Sequence, residues 1–139
     1  MTEQPIPQSD INGKAPELGG QLCEAFIVQP FLQDGSLVEP CNVTFISCAG
    51  KWYRLYFDHG FVFWGEHGSS PESYESTQDG WKYQLTDLLP QISNGPTVVS
   101  AVRGTQDSQR TTVTFMFAGN RQIVLTNDIS TDTTSYSVI

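Results

Sequence analysis

Basic residues are scarce in this chain. Seven of its 139 residues are lysine or arginine, against fifteen aspartates and glutamates, and the formal net charge is −8. Surfaces that bind phosphate need clustered lysine and arginine, whereas these seven are scattered. The composition therefore argues against a nucleic-acid partner and against an anionic membrane surface. It permits a basic protein partner, because opposite potentials attract; the alternative is that the acidity only keeps the protein in solution.

Long apolar runs and metal-binding cysteine patterns are also lacking. No run approaches the roughly 20 apolar residues of a membrane span, and the first residues lack the charged-then-apolar pattern of a secretion signal. We therefore expect a cytoplasmic protein with no membrane partner. The cysteines at positions 23, 41 and 48 match no zinc spacing and form no C-x-x-C, so we expect thiols and neither a metal nor another cofactor.

Catalytic motifs are missing as well. The sequence has no G-x-S-x-G, no P-loop and no H-E-x-x-H. The two histidines, His59 and His67, fall at opposite ends of one predicted strand, so at about 3.3 Å per residue they lie over 20 Å apart, too far for one metal ion. Asp58 before His59 is typical of a turn. We predict that the protein is not an enzyme; an enzyme without a recognisable motif stays an alternative.

The chain does contain a series of strand-length apolar runs separated by turn residues. Residues 1–20 are rich in proline, glycine and polar groups and predict a flexible N-terminal arm. Residues 21–139 predict a single β-rich domain. The predicted fold class is mainly β, an antiparallel meander of about six to eight strands with one or two short helices. A sandwich, a curved sheet and a partial barrel all fit this pattern.

Turn residues predict the register of the first hairpin and the positions of the helices. A two-residue turn at Gly35-Ser36 joins the first two long strands, and this register sets Cys23 opposite Cys48. Ser70 before a proline predicts one helical turn. Asp87 predicts the cap of a second short helix.

The most aromatic stretch of the chain, residues 51–67, predicts a second hairpin. A three-residue loop at positions 58–60 gives one strand face of Tyr53, Leu55, Phe57, Phe61 and Phe63, which we expect to line the core. The opposite face carries Trp52, Arg54, Tyr56 and Trp64. Tryptophan, tyrosine and arginine are enriched at binding hot spots, so this face is the candidate binding face. The alternative is that other elements cover it, with Arg54 stacked on Trp64.

An acidic stretch lies beside this hairpin. The sequence between Arg54 and Lys82 has no basic residue and several carboxylates, which attract a cationic protein surface. The predicted partner-binding residues are therefore Trp52, Arg54, Tyr56, Trp64, Glu66, Glu72, Glu75 and Asp79. Small size, acidity and the lack of catalytic motifs form the profile of bacterial immunity proteins and antitoxins, which inhibit basic toxins. The leading hypothesis is a small acidic binding protein that recognises a basic protein partner, with a toxin domain as one such partner.

A second hypothesis comes from four residues at the start of the aromatic hairpin. Gly50-Lys51-Trp52-Tyr53 resembles the G-x-W-Y signature on the first strand of lipocalins and related barrels. The resemblance implies a closed barrel of about eight strands, with Trp52 at its base, a late basic residue packed on it, and a lipophilic ligand inside. The motif falls near residue 50, which leaves fewer than ninety residues for that barrel. A calycin-like small-molecule binder is the alternative function.

Overall fold

Strands dominate the structure. The computed structural model describes residues 3–139, and 61% of the chain is strand and 4% is helical. The prediction of a mainly β protein is confirmed. Residues 1 and 2 of the predicted N-terminal arm lie outside the described residues.

Thirteen strands and two 3₁₀ helices are present in residues 3–139. The strands are β1 (Gln4–Pro5), β2 (Ile11–Asn12), β3 (Leu22–Gln33), β4 (Ser36–Cys48), β5 (Lys51–Asp58), β6 (Phe61–His67), β7 (Tyr74–Ser76), β8 (Trp81–Tyr83), β9 (Thr86–Asp87), β10 (Thr97–Gln106), β11 (Arg110–Phe117), β12 (Arg121–Asp128) and β13 (Thr133–Val138). The helices span Gln8–Asp10 and Leu89–Gln91. The predicted six to eight strands are too few because five strands have only two or three residues. Such segments are too short to show an alternating pattern.

All the strands belong to one open mixed sheet. Its order is β13-β12-β11-β10-β3-β4-β5-β6-β2, with β1 beside β10, β8 and β9 beside β3, and β7 beside β8. The parallel pair is β2 with β6. Two larger parts, β3–β6 and β10–β13, meet where Cys23 and Leu22 of β3 pair with Thr97 and Val98 of β10.

The core lies between these two parts of the sheet. Phe26 of β3 meets Phe115 of β11 edge to face, with ring centroids 4.9 Å apart. Burial alternates along β11, because a two-residue period sends Val113, Phe115 and Phe117 into the core and the residues between them outward. The segment predicted as an arm adds Leu18, which is 1% exposed, and Ile6 to the same cluster.

The first hairpin turns one residue earlier than predicted. Asp34 and Gly35 have φ of 51° and 80°, so they form the two-residue turn in which both φ are positive. Three irregularities along the β3–β4 ladder offset this change, and Cys23 pairs with Cys48. The predicted cysteine pairing is confirmed, although the predicted turn is wrong.

The second hairpin has a two-residue turn, so the predicted three-residue loop is wrong. His59 and Gly60 have φ of 46° and 88°, and Asp58 pairs with Phe61. The register differs by one residue from the prediction. Because side chains alternate along a strand, this slip moves every side chain of β6 to the opposite face of the sheet.

One of the two predicted helices forms. Asp87 Oδ1 accepts a hydrogen bond of 3.0 Å from the backbone N–H of Leu89, which begins a 3₁₀ helix of three residues. The same oxygen accepts from the N–H of Phe26 at 3.0 Å, which ties the turn to β3. The helical turn predicted at Ser70 is wrong, because residues 68–73 are irregular. No helix within residues 3–139 has the length and apolar character needed to cross a membrane.

Candidate functional site

The outer surface of β5 and β6 carries a group of partly exposed aromatic residues. Every second residue of β5 points away from the core, because the residues between them point into it. The corrected register adds two phenylalanines of β6 to this surface. We call these five residues the outer aromatic face: Trp52, Arg54, Tyr56, Phe61 and Phe63.

Two aromatic rings of the face form a flat pair. Tyr56 lies opposite Phe63 across the strands, and their rings stack with centroids 4.8 Å apart and an interplanar angle of 2°. Phe61 at the end of the hairpin is 43% exposed. Trp52 at the other end lies opposite His67 and is partly exposed. Strand backbones hold these rings in place, so the patch has a fixed arrangement.

The single cation of the outer aromatic face lies over a glycine. Arg54 pairs with Gly65, and a Cβ atom at Gly65 would lie 3.3 Å from the guanidinium. Arg54 Nη1 also donates to the carbonyl oxygen of Glu66 at 3.4 Å. The predicted stacking of Arg54 on Trp64 is wrong, because Trp64 lies on the opposite side of the sheet. Gly65 provides the space that lets the arginine extend across the strand.

Two predicted binding residues lie on the inner side of the sheet. Trp64 packs against the core, with its ring centroid 6.3 Å from that of Phe115. Glu66 Oε1 pairs with Lys51 Nζ at 3.0 Å in an exposed position, and this hydrogen bond raises the pKa of Lys51. Exposed ion pairs contribute little to stability. The prediction that Trp64 shares a face with Trp52 is therefore wrong, and Glu66 is likewise separate from it.

The three remaining predicted acids lie on β7, β8 and the segments around them. Glu75 of β7 lies opposite Lys82 of β8 in the strand register. Asp79 Oδ2 accepts a hydrogen bond of 3.1 Å from the hydroxyl of Ser76, so its side chain stabilises the turn between these strands. Glu72 is exposed in the segment before β7.

The segment that carries Glu72 crosses the sheet. Residues 68–73 join β6 to β7, and the strand order places β5, β4 and β3 between them. Phe45 points outward from β4 between Thr44 and Ile46 and is only 6% exposed, and the His67 ring packs against it with ring centroids 5.0 Å apart.

A polar cluster lies at the hairpin turn beside Phe61. His59 Nδ1 is 2.9 Å from Asp58 Oδ1 and 3.6 Å from Asp132 Oδ2. The hydrogen bond that His59 donates to Asp58, and then the charge of Asp132, raise the pKa of His59. Ligand atoms of the three side chains lie within 4.8 Å of one another, the one such group of three within the described range. The hydrogen bonds inside the cluster explain its geometry without an ion.

A buried amide connects this cluster to the other part of the sheet. Asn127 of β12 is fully buried; its Oδ1 accepts from the N–H of Gly60 at 2.8 Å. Its Nδ2 donates to Asp132 at 3.1 Å and to the hydroxyl of Thr134 at 3.0 Å. Local sequence could not reveal Asp132 or Asn127 as partners of the turn, since both lie about seventy residues away in the chain.

An apolar cavity of about 240 Å³ lies between the N-terminal segment and the inner side of the sheet. Ile6, Ile11, Trp64, Val102 and Val113 are among its lining residues. The lipocalin resemblance implies a closed barrel with Trp52 at its base. That implication is wrong, because the sheet is open and Trp52 lies on its outer side.

Compared with known proteins, the chain matches no family model, no curated protein and no solved structure.

The predicted set of eight binding residues divides into three groups in the structure. Trp52, Arg54 and Tyr56 share the outer aromatic face. Trp64 and Glu66 are on the inner side of the sheet, where Trp64 packs against the core and Glu66 is exposed. The other three acids belong to the β7–β8 region. The sequence interpretation missed two members of the face, Phe61 and Phe63. The correct length of the turn between β5 and β6 would have assigned them to it.

Proposed function

We propose that this protein is a binding protein that docks a basic protein partner through the outer aromatic face. The observation that carries the proposal is the patch itself: a stacked Tyr56–Phe63 pair between an exposed phenylalanine and a partly exposed tryptophan. Contiguous apolar patches on protein surfaces mark interaction sites.

We take the sheet as the curved form among the predicted architectures, because one continuous sheet supplies both sides of the core.

The residue types suit a protein partner. Aromatic side chains and arginine contribute much of the binding energy at interfaces, and rings held by strands lose little conformational freedom on binding. Arg54 extends over Gly65 in the middle of the patch, where its guanidinium can donate to carbonyl or carboxylate groups of the partner.

Charge argues that the partner is basic. The chain carries a net charge of −8, and Asp58 and Asp132 lie at the turn beside the outer aromatic face, while Arg54 is the one cation of that face. A rim of one sign speeds association with a surface of the opposite sign. The same features support the more specific proposal of a bacterial cytoplasmic immunity protein or antitoxin, in which the partner is a basic toxin domain.

Binding to a basic domain encoded by the neighbouring gene tests the proposal. We expect Trp52→Ala and Tyr56→Ala each to weaken binding by about tenfold or more. Leu37→Ala is the control, because Leu37 is 59% exposed and lies at the start of β4, outside the part of that strand that pairs with β5. Rising salt should slow the association rate. Failure to bind such a domain, or equal affinities for all three variants, would reject the proposal.

The cavity favours a second candidate function, the binding of a small lipophilic molecule. Its volume of about 240 Å³ is just below the roughly 300–1,000 Å³ of typical ligand pockets. Binding of N-phenyl-1-naphthylamine, followed by energy transfer from Trp64, tests this function. We expect Val113→Phe, which fills the cavity, to abolish binding and Trp52→Phe to leave it unchanged; no binding by the unmodified protein rejects this candidate.

A further inference from the structure

Two cysteines lie directly opposite each other on adjacent strands. Cys23 of β3 pairs with Cys48 of β4, and the N–H of Ala49 donates to the carbonyl of Leu22 at 3.0 Å. That bond joins the residues flanking the pair, so the cysteines occupy a non-hydrogen-bonded site, where Cα atoms are about 4.5 Å apart. Disulfides span Cα separations of about 4.4–6.8 Å. The backbone pairing therefore places the two cysteine side chains next to each other across the strands.

The thiols interact with each other. Their hydrogen bond lowers the pKa of Cys48 and, together with burial, raises the pKa of Cys23. The Cys23 thiol also donates to the carbonyl oxygen of Ala25 at 3.4 Å. Cys41 is different: burial raises its pKa to about 11, and its nearest polar side-chain atom is the Thr44 hydroxyl at 3.1 Å. One pair of cysteines is thus arranged for joint chemistry, and the third provides an internal control.

We propose that Cys23 and Cys48 form a reversible cross-strand disulfide. It would join β3 to β4 at the place where the two parts of the sheet meet, because Cys23 also pairs with Thr97 of β10. The bond would close the loop of the first hairpin. The proposal does not depend on the proposed function.

The reaction is a thiol–disulfide exchange with a small disulfide such as oxidised glutathione. The Cys48 thiolate attacks one sulfur of the oxidant, the oxidant's S–S bond breaks, and one glutathione leaves as its thiolate. Cys23 then loses its proton to solvent and attacks the sulfur of Cys48, which releases the second glutathione. Two electrons pass from the cysteines to the oxidant. Both sulfurs are fully buried, so exchange requires opening of the strand ends beside the turn at Ala49 and is slow.

Equilibration of the folded protein with oxidised glutathione tests the proposal. In Cys41→Ser we expect the mass to fall by two hydrogens, no thiol to react with Ellman's reagent after denaturation, and a peptide map linking Cys23 to Cys48. Dithiothreitol should restore both thiols. The oxidised form should unfold several degrees higher, because the cross-link constrains the unfolded chain. Cys48→Ser, treated in the same way, should give no internal disulfide.

A trivalent arsenical gives a second measurement that needs no oxidant. Phenylarsine oxide bridges two close thiols, so we expect it to bind one to one to Cys41→Ser and not to Cys23→Ala. The proposal is overturned if Cys41→Ser keeps both thiols free under oxidising glutathione, or if it stops at a mixed disulfide with glutathione. Failure of the arsenical to bind the unmodified protein would equally contradict it.

Discussion

The backbone N–H of His59 donates a hydrogen bond of 2.8 Å to Oδ1 of Asp132, a residue 73 positions later in the chain. His59 has a φ of 46°, a left-handed conformation that costs a residue with a side chain about 1–2 kcal/mol. The bond to Asp132 offsets this cost and stabilises the two-residue turn. The turn sets the register of β5 and β6, so it decides which aromatic residues reach the outer side.

Removing the Asp132 side chain should destabilise the protein. Asp132→Ala loses the bonds to His59 and to Asn127 and places alanine at a φ of 54°, so we expect a loss of about 1–3 kcal/mol in the free energy of unfolding. Asp132→Asn keeps an acceptor oxygen and tolerates this φ, so its loss should be less than half as large. Urea unfolding measures both, and equal stabilities of the unmodified protein and Asp132→Ala would contradict the role of this contact.

The His59 cluster should make stability depend on pH. Neighbouring carboxylates raise the folded-state pKa of His59 above its ordinary value of 6.5. A raised pKa means that the folded state holds the proton more tightly, so the stabilisation is complete below pH 6.5 and is lost as pH rises through the folded-state pKa. The thermal midpoint of the unmodified protein, measured relative to His59→Asn, should fall across that range. His67→Asn serves as the control and should retain this fall; a difference between the unmodified protein and His59→Asn that does not change with pH contradicts the prediction.

Alanine substitutions at two turn glycines distinguish the cost of backbone strain from the cost of steric crowding. Gly35 and Gly60 both have positive φ, but a Cβ atom at Gly35 meets nothing within 4 Å, whereas at Gly60 it lies 2.9 Å from Ile129 and 3.2 Å from the hydroxyl of Thr111. Gly35→Ala should cost only the strain, about 1–2 kcal/mol. Gly60→Ala should cost about 1–3 kcal/mol more. Chemical unfolding compares them, and equal losses would mean that the turn at Gly60 is less tightly packed than its neighbours indicate.

Much of the fold follows from local patterns in the sequence. The strand-length apolar run Thr111–Ala118, followed by the turn residues Gly119-Asn120, predicts a strand, and the structure has β11 at Arg110–Phe117. The pairing of Cys23 with Cys48 is predicted from a turn that is one residue out of place, and bulges in the ladder offset the error. The shortest strands were not predictable, because a segment of two residues becomes a strand only when a longer neighbour offers it an edge.

The candidate site was only half predictable, for one physical reason. The side chains of β5 follow from its own period, so Trp52, Arg54 and Tyr56 were assigned to one side. The residues of β6 depend on turn length, which a distant carboxylate helps to set. A single-residue error therefore exchanged Trp64 for Phe61 and Phe63. Local sequence has no signal for a contact that spans half the chain.

Alanine substitutions of the two tryptophans of the hairpin distinguish a residue of the core, Trp64, from a residue of the outer aromatic face, Trp52. Trp64 packs against Phe115, so Trp64→Ala should lower the free energy of unfolding by about 2–4 kcal/mol, somewhat less than for a fully buried ring. Trp52 lies on the outer side, and Trp52→Ala should cost about 1 kcal/mol or less in stability while weakening partner binding. Urea unfolding of both variants gives the comparison. A loss for Trp64→Ala as small as that for Trp52→Ala would mean that β6 has the three-residue-loop register and that the outer aromatic face is wrongly assigned.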